Sequence, residues 1–132
     1  MRVFLDANIL FSASSPGSAT AQLFALLLNV GKAVTNPHAV EEARRNLAAK
    51  RPQQLEAFAA LLAKVTVSCS FTHVSGIDVP EEDMPILAGA IGSRCTHLWT
   101  SDRRHFGALY GTCIGGVHVV SSVMLAEELL AT

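Results

Sequence analysis

Four acids stand where solvation alone does not explain them. Asp6 ends the apolar run Val3-Phe4-Leu5, and Asp102 follows Leu98-Trp99-Thr100-Ser101. Asp83 opens a helix ahead of that second run, and Glu42 lies early in a helix that follows another short strand. Four uncompensated carboxylates in one crevice repel and raise one another's pKa, a penalty that a divalent cation with hard oxygen ligands reverses. The chemistry this predicts is Mg²⁺- or Mn²⁺-dependent hydrolysis of a phosphodiester, with water activated and charge neutralised at the phosphate and the leaving oxygen. Asn8, Thr100 and Ser101 are expected as neutral groups that hold the carboxylates and water in place. Each acid also has a bland reading. Asp83, with Glu81 and Glu82, suits a helix N-terminus, and Glu42, with Glu41, stands at ion-pair spacing from Arg44 and Arg45. The combination favours the metal site.

Positioning such acids requires strand ends. Val3 to Leu5 is a short β-prone run, and Ser12 to Ser18 collects turn formers. Leu23, Leu26, Leu27 and Val30 then recur at helical spacing over residues 19–30 until Gly31. Ala33 to Thr35 forms a second strand. Asn36 as N-cap with Pro37 behind it opens a helix through Leu47, and Pro52 starts another with Leu55, Phe58 and Leu62 on one face. Val65 to Val67 is a third strand, and Phe71 to Pro80 a loop. The next helix carries Ile86, Leu87, Ala90 and Ile91 and weakens at Gly92. His97 to Thr100 and, after a Gly115-Gly116 turn, Val117 to Val120 are the last strands; Ser121 or Ser122 caps a closing helix with Leu125, Leu129 and Leu130. The order βαβααβαβαβα predicts an α/β domain whose parallel sheet is covered on both faces. In such sheets ligands bind beyond the carboxyl ends of the strands, where Asp6 and Asp102 fall.

Composition narrows the classes. At 132 residues the chain allows one domain, 1–132, and half its residues are hydrophobic against 16% charged, so it can bury a core. A net charge of -1 announces no global nucleic-acid field, so any such contact must be local. Arg44, Arg45, Lys50 and Arg51 read as a solvated helix face, whereas Arg103, Arg104 and His105 lie just past Asp102 and could grip phosphates. Three widely spaced cysteines, Cys69, Cys95 and Cys113, argue against disulfides and thiolate metal sites and point to a reducing cytoplasm. No apolar run approaches the ~18 residues of a membrane span. The five histidines show no zinc spacing, and no nucleotide-cradling glycine loop occurs. Trp99, Phe4 and Phe106 are expected in the core.

The run Phe4-Leu5-Asp6-Ala7-Asn8-Ile9-Leu10 resembles the opening motif of PIN-domain ribonucleases. Val40-Glu41-Glu42-Ala43-Arg44-Arg45-Asn46-Leu47 is similar to their second-acid helix, and Asp83-Met84-Pro85-Ile86-Leu87-Ala88-Gly89-Ala90 to their third-acid segment. Leu98-Trp99-Thr100-Ser101-Asp102-Arg103-Arg104-His105-Phe106-Gly107 resembles the fourth, and Val117-His118-Val119-Val120-Ser121 the final strand. The resemblance implies an α/β/α sandwich around a five-stranded parallel sheet, with Asp6, Glu42, Asp83 and Asp102 as the catalytic, metal-binding acids for cleavage of single-stranded RNA. For chains of this size it further implies a VapC-type toxin, a homodimer inhibited by a cognate antitoxin. Ser101 departs from the Gly of many members.

Two other readings are weighed. A haloacid-dehalogenase-type phosphatase also begins with a strand running into Asp, but it expects a second Asp where Asn8 stands. A non-catalytic module could hold RNA or a protein in the same crevice. The face of Leu55, Phe58 and Leu62 reads most simply as core, with a dimer or an inhibitor helix as the alternative.

Overall fold

The computed structural model describes residues 1–131. Strand β1 (Arg2–Leu5) is buried on both faces and lies mid-sheet, as its unbroken apolar run requires. It pairs in parallel with β2 (Lys32–Thr35) on one side and with β4 (His97–Trp99) on the other. The sheet extends from β2 to β3 (Thr66–Val67) and from β4 to β6 (Val117–Val120), both in parallel register. With β5 (Cys113–Ile114) beside β6, the order β3-β2-β1-β4-β6-β5 makes the chain change direction across the sheet between β1 and β4. That switch point opens a crevice at the carboxyl ends of these two strands.

Two features differ from the sequence expectation. The sheet has six strands instead of five, because Cys113–Ile114 (β5) pairs antiparallel with β6. The Gly115-Gly116 turn that joins them has φ of 57° and 85°, left-handed values that glycine adopts without strain and that a two-residue hairpin demands. Second, a helix that the sequence reading left unassigned, α1 (Ala7–Ala13), starts directly at Asp6 and reaches into the expected turn region. Ala7, Ile9, Leu10 and Ala13 form its buried face, against α2 (Ala19–Val30), α3 (Pro37–Lys50) and α4 (Leu55–Leu62).

The remaining helices follow their patterns. Asn36 caps α3 by accepting from the Ala39 N–H, with Pro37 in its first turn. Ser121 accepts from Met124 N–H at the start of α7 (Ser122–Leu130). A 3-10 turn over Pro52–Gln54 precedes α4, in which Phe58 and Leu61 are buried while Leu55 and Leu62 pack partly buried against the core. That face therefore serves the core of this chain. Phe4, Trp99 and Phe106 are fully buried.

The segment 68–80 has no regular structure, but it is fastened to α5 (Met84–Gly92). The Thr72 N–H donates to Ala88 O, and the Ser93 hydroxyl donates to Ser68 Oγ. Phe71 crosses so close to Gly92 that a Cβ there would lie 2.3–2.5 Å from Phe71 backbone atoms. Gly92→Ala is therefore expected to destabilise the protein by about 1–3 kcal/mol through overpacking, although helix propensity alone favours alanine by ~1 kcal/mol. Urea denaturation of the two proteins checks the sign.

Candidate active site

The crevice is assembled from the ends of β1 and β4. Asp6 follows β1, its N–H donates to Trp99 O at 3.1 Å, and its side chain is buried at the N-terminus of α1. Both carboxylate oxygens are engaged, one by the Ala7 N–H at 2.7 Å and the other by the Thr100 hydroxyl at 2.7 Å. Burial still dominates: desolvation pushes the Asp6 carboxyl up to about 6, the two hydrogen bonds pull it down, and the charges of Glu42 and Asp83 raise it again. Thr100 is fully buried, and its Oγ also accepts from the Asp102 N–H at 3.1 Å, so one hydroxyl couples the two strand-end acids. Asn8 Oδ1 accepts from the Ser101 N–H at 3.1 Å, which ties the loop after β4 to α1. Ser101 itself is exposed and contributes through its backbone.

Asp102 caps the short helix α6 (Arg103–Phe106) by accepting from the His105 N–H at 3.1 Å. The His105 ring turns back into the site. Its Nδ1 lies 2.5 Å from Asp83 Oδ2 and 3.0 Å from Asp102 Oδ2, without hydrogen-bond geometry to either. Asp83 Oδ2 and His105 Nδ1 are thus buried polar atoms with ionic contact but no directed bond, a condition that folded proteins seldom tolerate unless another group completes it. Desolvation first, and then the neighbouring charges of Asp102, Glu82 and Glu42, push the Asp83 carboxyl up, against a lowering effect of His105.

Asp83 stands at the N-cap position of α5 but makes no side-chain capping bond there. The surface ion pairs on α3 belong to Glu41, which holds Arg44 at 2.5 Å and Arg45 at 4.0 Å. Glu42 takes no ion pair among the described residues, is exposed, and acts electrostatically on both Asp6 and Asp83. All four acids therefore share one electrostatic neighbourhood.

Three residues have roles that the sequence reading missed. Glu82, set aside there as a helix-start acid, joins Asp83 and His105 in a group whose ligand atoms lie within 4.8 Å of one another. His105, read as a phosphate contact, bridges two of the acids instead, while Arg103 and Arg104 stay exposed at the rim. Tyr110 donates its hydroxyl to Thr100 O at 2.9 Å and braces the same loop. The acid-rich run at 81–83 was a visible signal for Glu82; nothing in the sequence marked Tyr110.

No protein-family model and no curated protein sequence matches the chain. Its backbone is nevertheless similar to solved structures. A chain of VapBC2 from Rickettsia felis, determined bound to a DNA fragment from its promoter, superposes with a TM-score of 0.66 at 14% identity, covering 92% of this chain and 98% of that one. A chain of VapBC-1 from nontypeable Haemophilus influenzae gives 0.63 at 15% identity, covering 93% and 99%. The chain therefore has the fold of these VapBC chains, the α/β fold that the resemblance to PIN domains implied. The antiparallel hairpin β5–β6 is an addition to the parallel sheet that the resemblance implied.

Burial of Asp6 has a measurable consequence. With a carboxyl at about 6 in the folded protein against an ordinary 3.8, the folded state binds the extra proton between those values. Stability therefore falls as pH rises through about 4 to 6, and the ionised group costs roughly 3 kcal/mol above that window. Asp6→Asn is expected to melt several degrees above the parent at pH 8 in EDTA, a gain that vanishes near pH 4. Thermal melts across pH test this.

Proposed function

We propose that this protein is a Mg²⁺- or Mn²⁺-dependent ribonuclease that cleaves phosphodiester bonds of single-stranded RNA as the toxin of a toxin-antitoxin pair. The observation that carries the reading is the electrostatic coupling of Asp6, Glu42, Asp83 and Asp102 at the strand switch point, together with the buried, undirected Asp83 Oδ2. Carboxylate oxygens in this number suit a hard divalent cation. Asp6, Asp83, Asp102 and Glu42 would hold it, with Glu82 and His105 offering further donors next to Asp83. When bound, such an ion supplies Lewis acidity and charge neutralisation at the phosphate.

The chain's own groups have separable tasks. Thr100 and the Ala7 N–H fix the orientation of Asp6, and Thr100 and Asn8 hold the loop that presents Asp102. Glu42 is the exposed acid without a competing ion pair, which is what a proton acceptor for attacking water needs. Arg103 and Arg104, exposed beside Asp102, are placed to meet RNA phosphates.

The VapBC neighbours support an antitoxin as partner. A homodimer and a cytoplasmic setting belong to the same reading. No helix among the described residues is long and apolar enough to cross a membrane.

Asp102→Asn keeps a side-chain oxygen able to cap α6 and should leave the far-UV circular dichroism unchanged. Its cleavage of a mixed single-stranded RNA pool in Mg²⁺ or Mn²⁺ should fall on the order of a hundredfold or more, the scale on which even groups supporting a metal ligand act. EDTA should abolish cleavage by the parent. Undiminished cutting by the variant overturns the assignment, and RNA retained uncut in millimolar Mn²⁺ favours a binding module.

A further inference from the structure

A cavity of about 680 Å³ lies between the start of α3, the first turns of α5 and the fastened segment 68–80, within the size range of ligand sites. Met84, Pro85 and Ala88 of α5 line it from one side and His38 from another, with Phe71 and His73 on the segment opposite. None of the residues lining it is Lys or Arg, so it does not suit a phosphate. Its surface is mainly carbon, with aromatic and imidazole faces. The Phe71 side chain is 75% exposed, a ring left open to stacking on a segment otherwise fastened down by Thr72 and Gly92.

The cavity adjoins the acids along the chain, although none of the four lines it. Glu81 and Met84, both part of its lining, flank Asp83 in the chain. His38 stands four residues before Glu42, so the two share one face of α3 a single turn apart, about 6 Å along its axis. A polynucleotide whose phosphate sits over the acids therefore has a mainly apolar recess beside it on two elements at once, with Glu81 on its lining.

We infer that this cavity is a nucleobase subsite, taking an unpaired base next to the cleaved phosphodiester with Phe71 as its stacking platform. The inference rests on the proposed RNA substrate and adds where the base goes. Single-stranded RNA is read in this way, by splayed bases stacked on aromatic side chains while its phosphates are held elsewhere. Glu81 on the lining offers a carboxylate that can accept from an exocyclic amino group.

The test uses the intact protein and two oligoribonucleotides, one complete and one abasic at the nucleotide flanking the mapped cleavage site. Cleavage is measured in Mn²⁺, and binding by fluorescence anisotropy in EDTA. Phe71→Ala removes an exposed ring, and Ser70→Trp fills the recess from its exposed rim; circular dichroism confirms that both fold. The parent should bind the complete oligomer roughly tenfold more tightly than the abasic one, the scale of one lost stack. Both variants should lose that preference. If the parent cleaves but treats the two oligomers alike, the subsite is wrong while the nuclease reading survives. If it binds with the base preference but does not cleave, the subsite stands and the nuclease reading fails. Unchanged RNA binding with altered sedimentation of Phe71→Ala would make the recess a protein contact and overturn the inference.

Discussion

Everything at the crevice depends on one buried contact, the Thr100 hydroxyl donated to Asp6 across the junction of β1 and β4. A carboxylate taken out of water at this position is tolerated only because both its oxygens find donors. Thr100 is held in turn by the Val120 carbonyl at its N–H and by Tyr110 at its own carbonyl. The same hydroxyl accepts from the Asp102 N–H, so the backbone that presents one acid is tied to the side chain of the other. The site is thus a property of strand pairing at the middle of the sheet, where the structure is most deeply buried.

Around that pair stand the other two acids, Glu42 exposed and Asp83 partly buried. Asp83 stands at the start of α5 and Glu42 on α3, and both push the Asp6 carboxyl upward. His105 partly offsets the crowding by lying between Asp83 and Asp102. Like charges gathered without a full set of counter-charges are an arrangement that folding alone does not favour, and it is the physical ground on which a cation is proposed for the crevice.

Much of this was legible in the amino-acid sequence, for reasons that differ by element. β1 announces itself as a short apolar run because it is buried on both faces, β4 and β6 do so through the β-prone apolar residues that follow or flank a histidine, and α3 through Asn36 and Pro37. Helix α1 was hidden: seven residues hold less than two periods, and its cap, Asp6, also reads as a strand terminus. β5 was hidden because a two-residue strand has no pattern. Among the acids, position relative to the strands singled out Asp6 and Asp102. The distinction between Glu41 and Glu42, or between a capping and a non-capping Asp83, lies in side-chain direction, which spacing does not encode. The recess beside Phe71 is shaped by a segment without periodicity and could be seen only in three dimensions.

The hairpin β5–β6 also governs how copies of this chain can meet. With β5 on one margin of the sheet and β3 on the other, both outermost strands are only two residues long. A margin so short offers almost no main-chain ladder for a neighbour to extend. Self-association by continuing the sheet is thereby closed off, and any pairing of subunits must be made through helical surfaces.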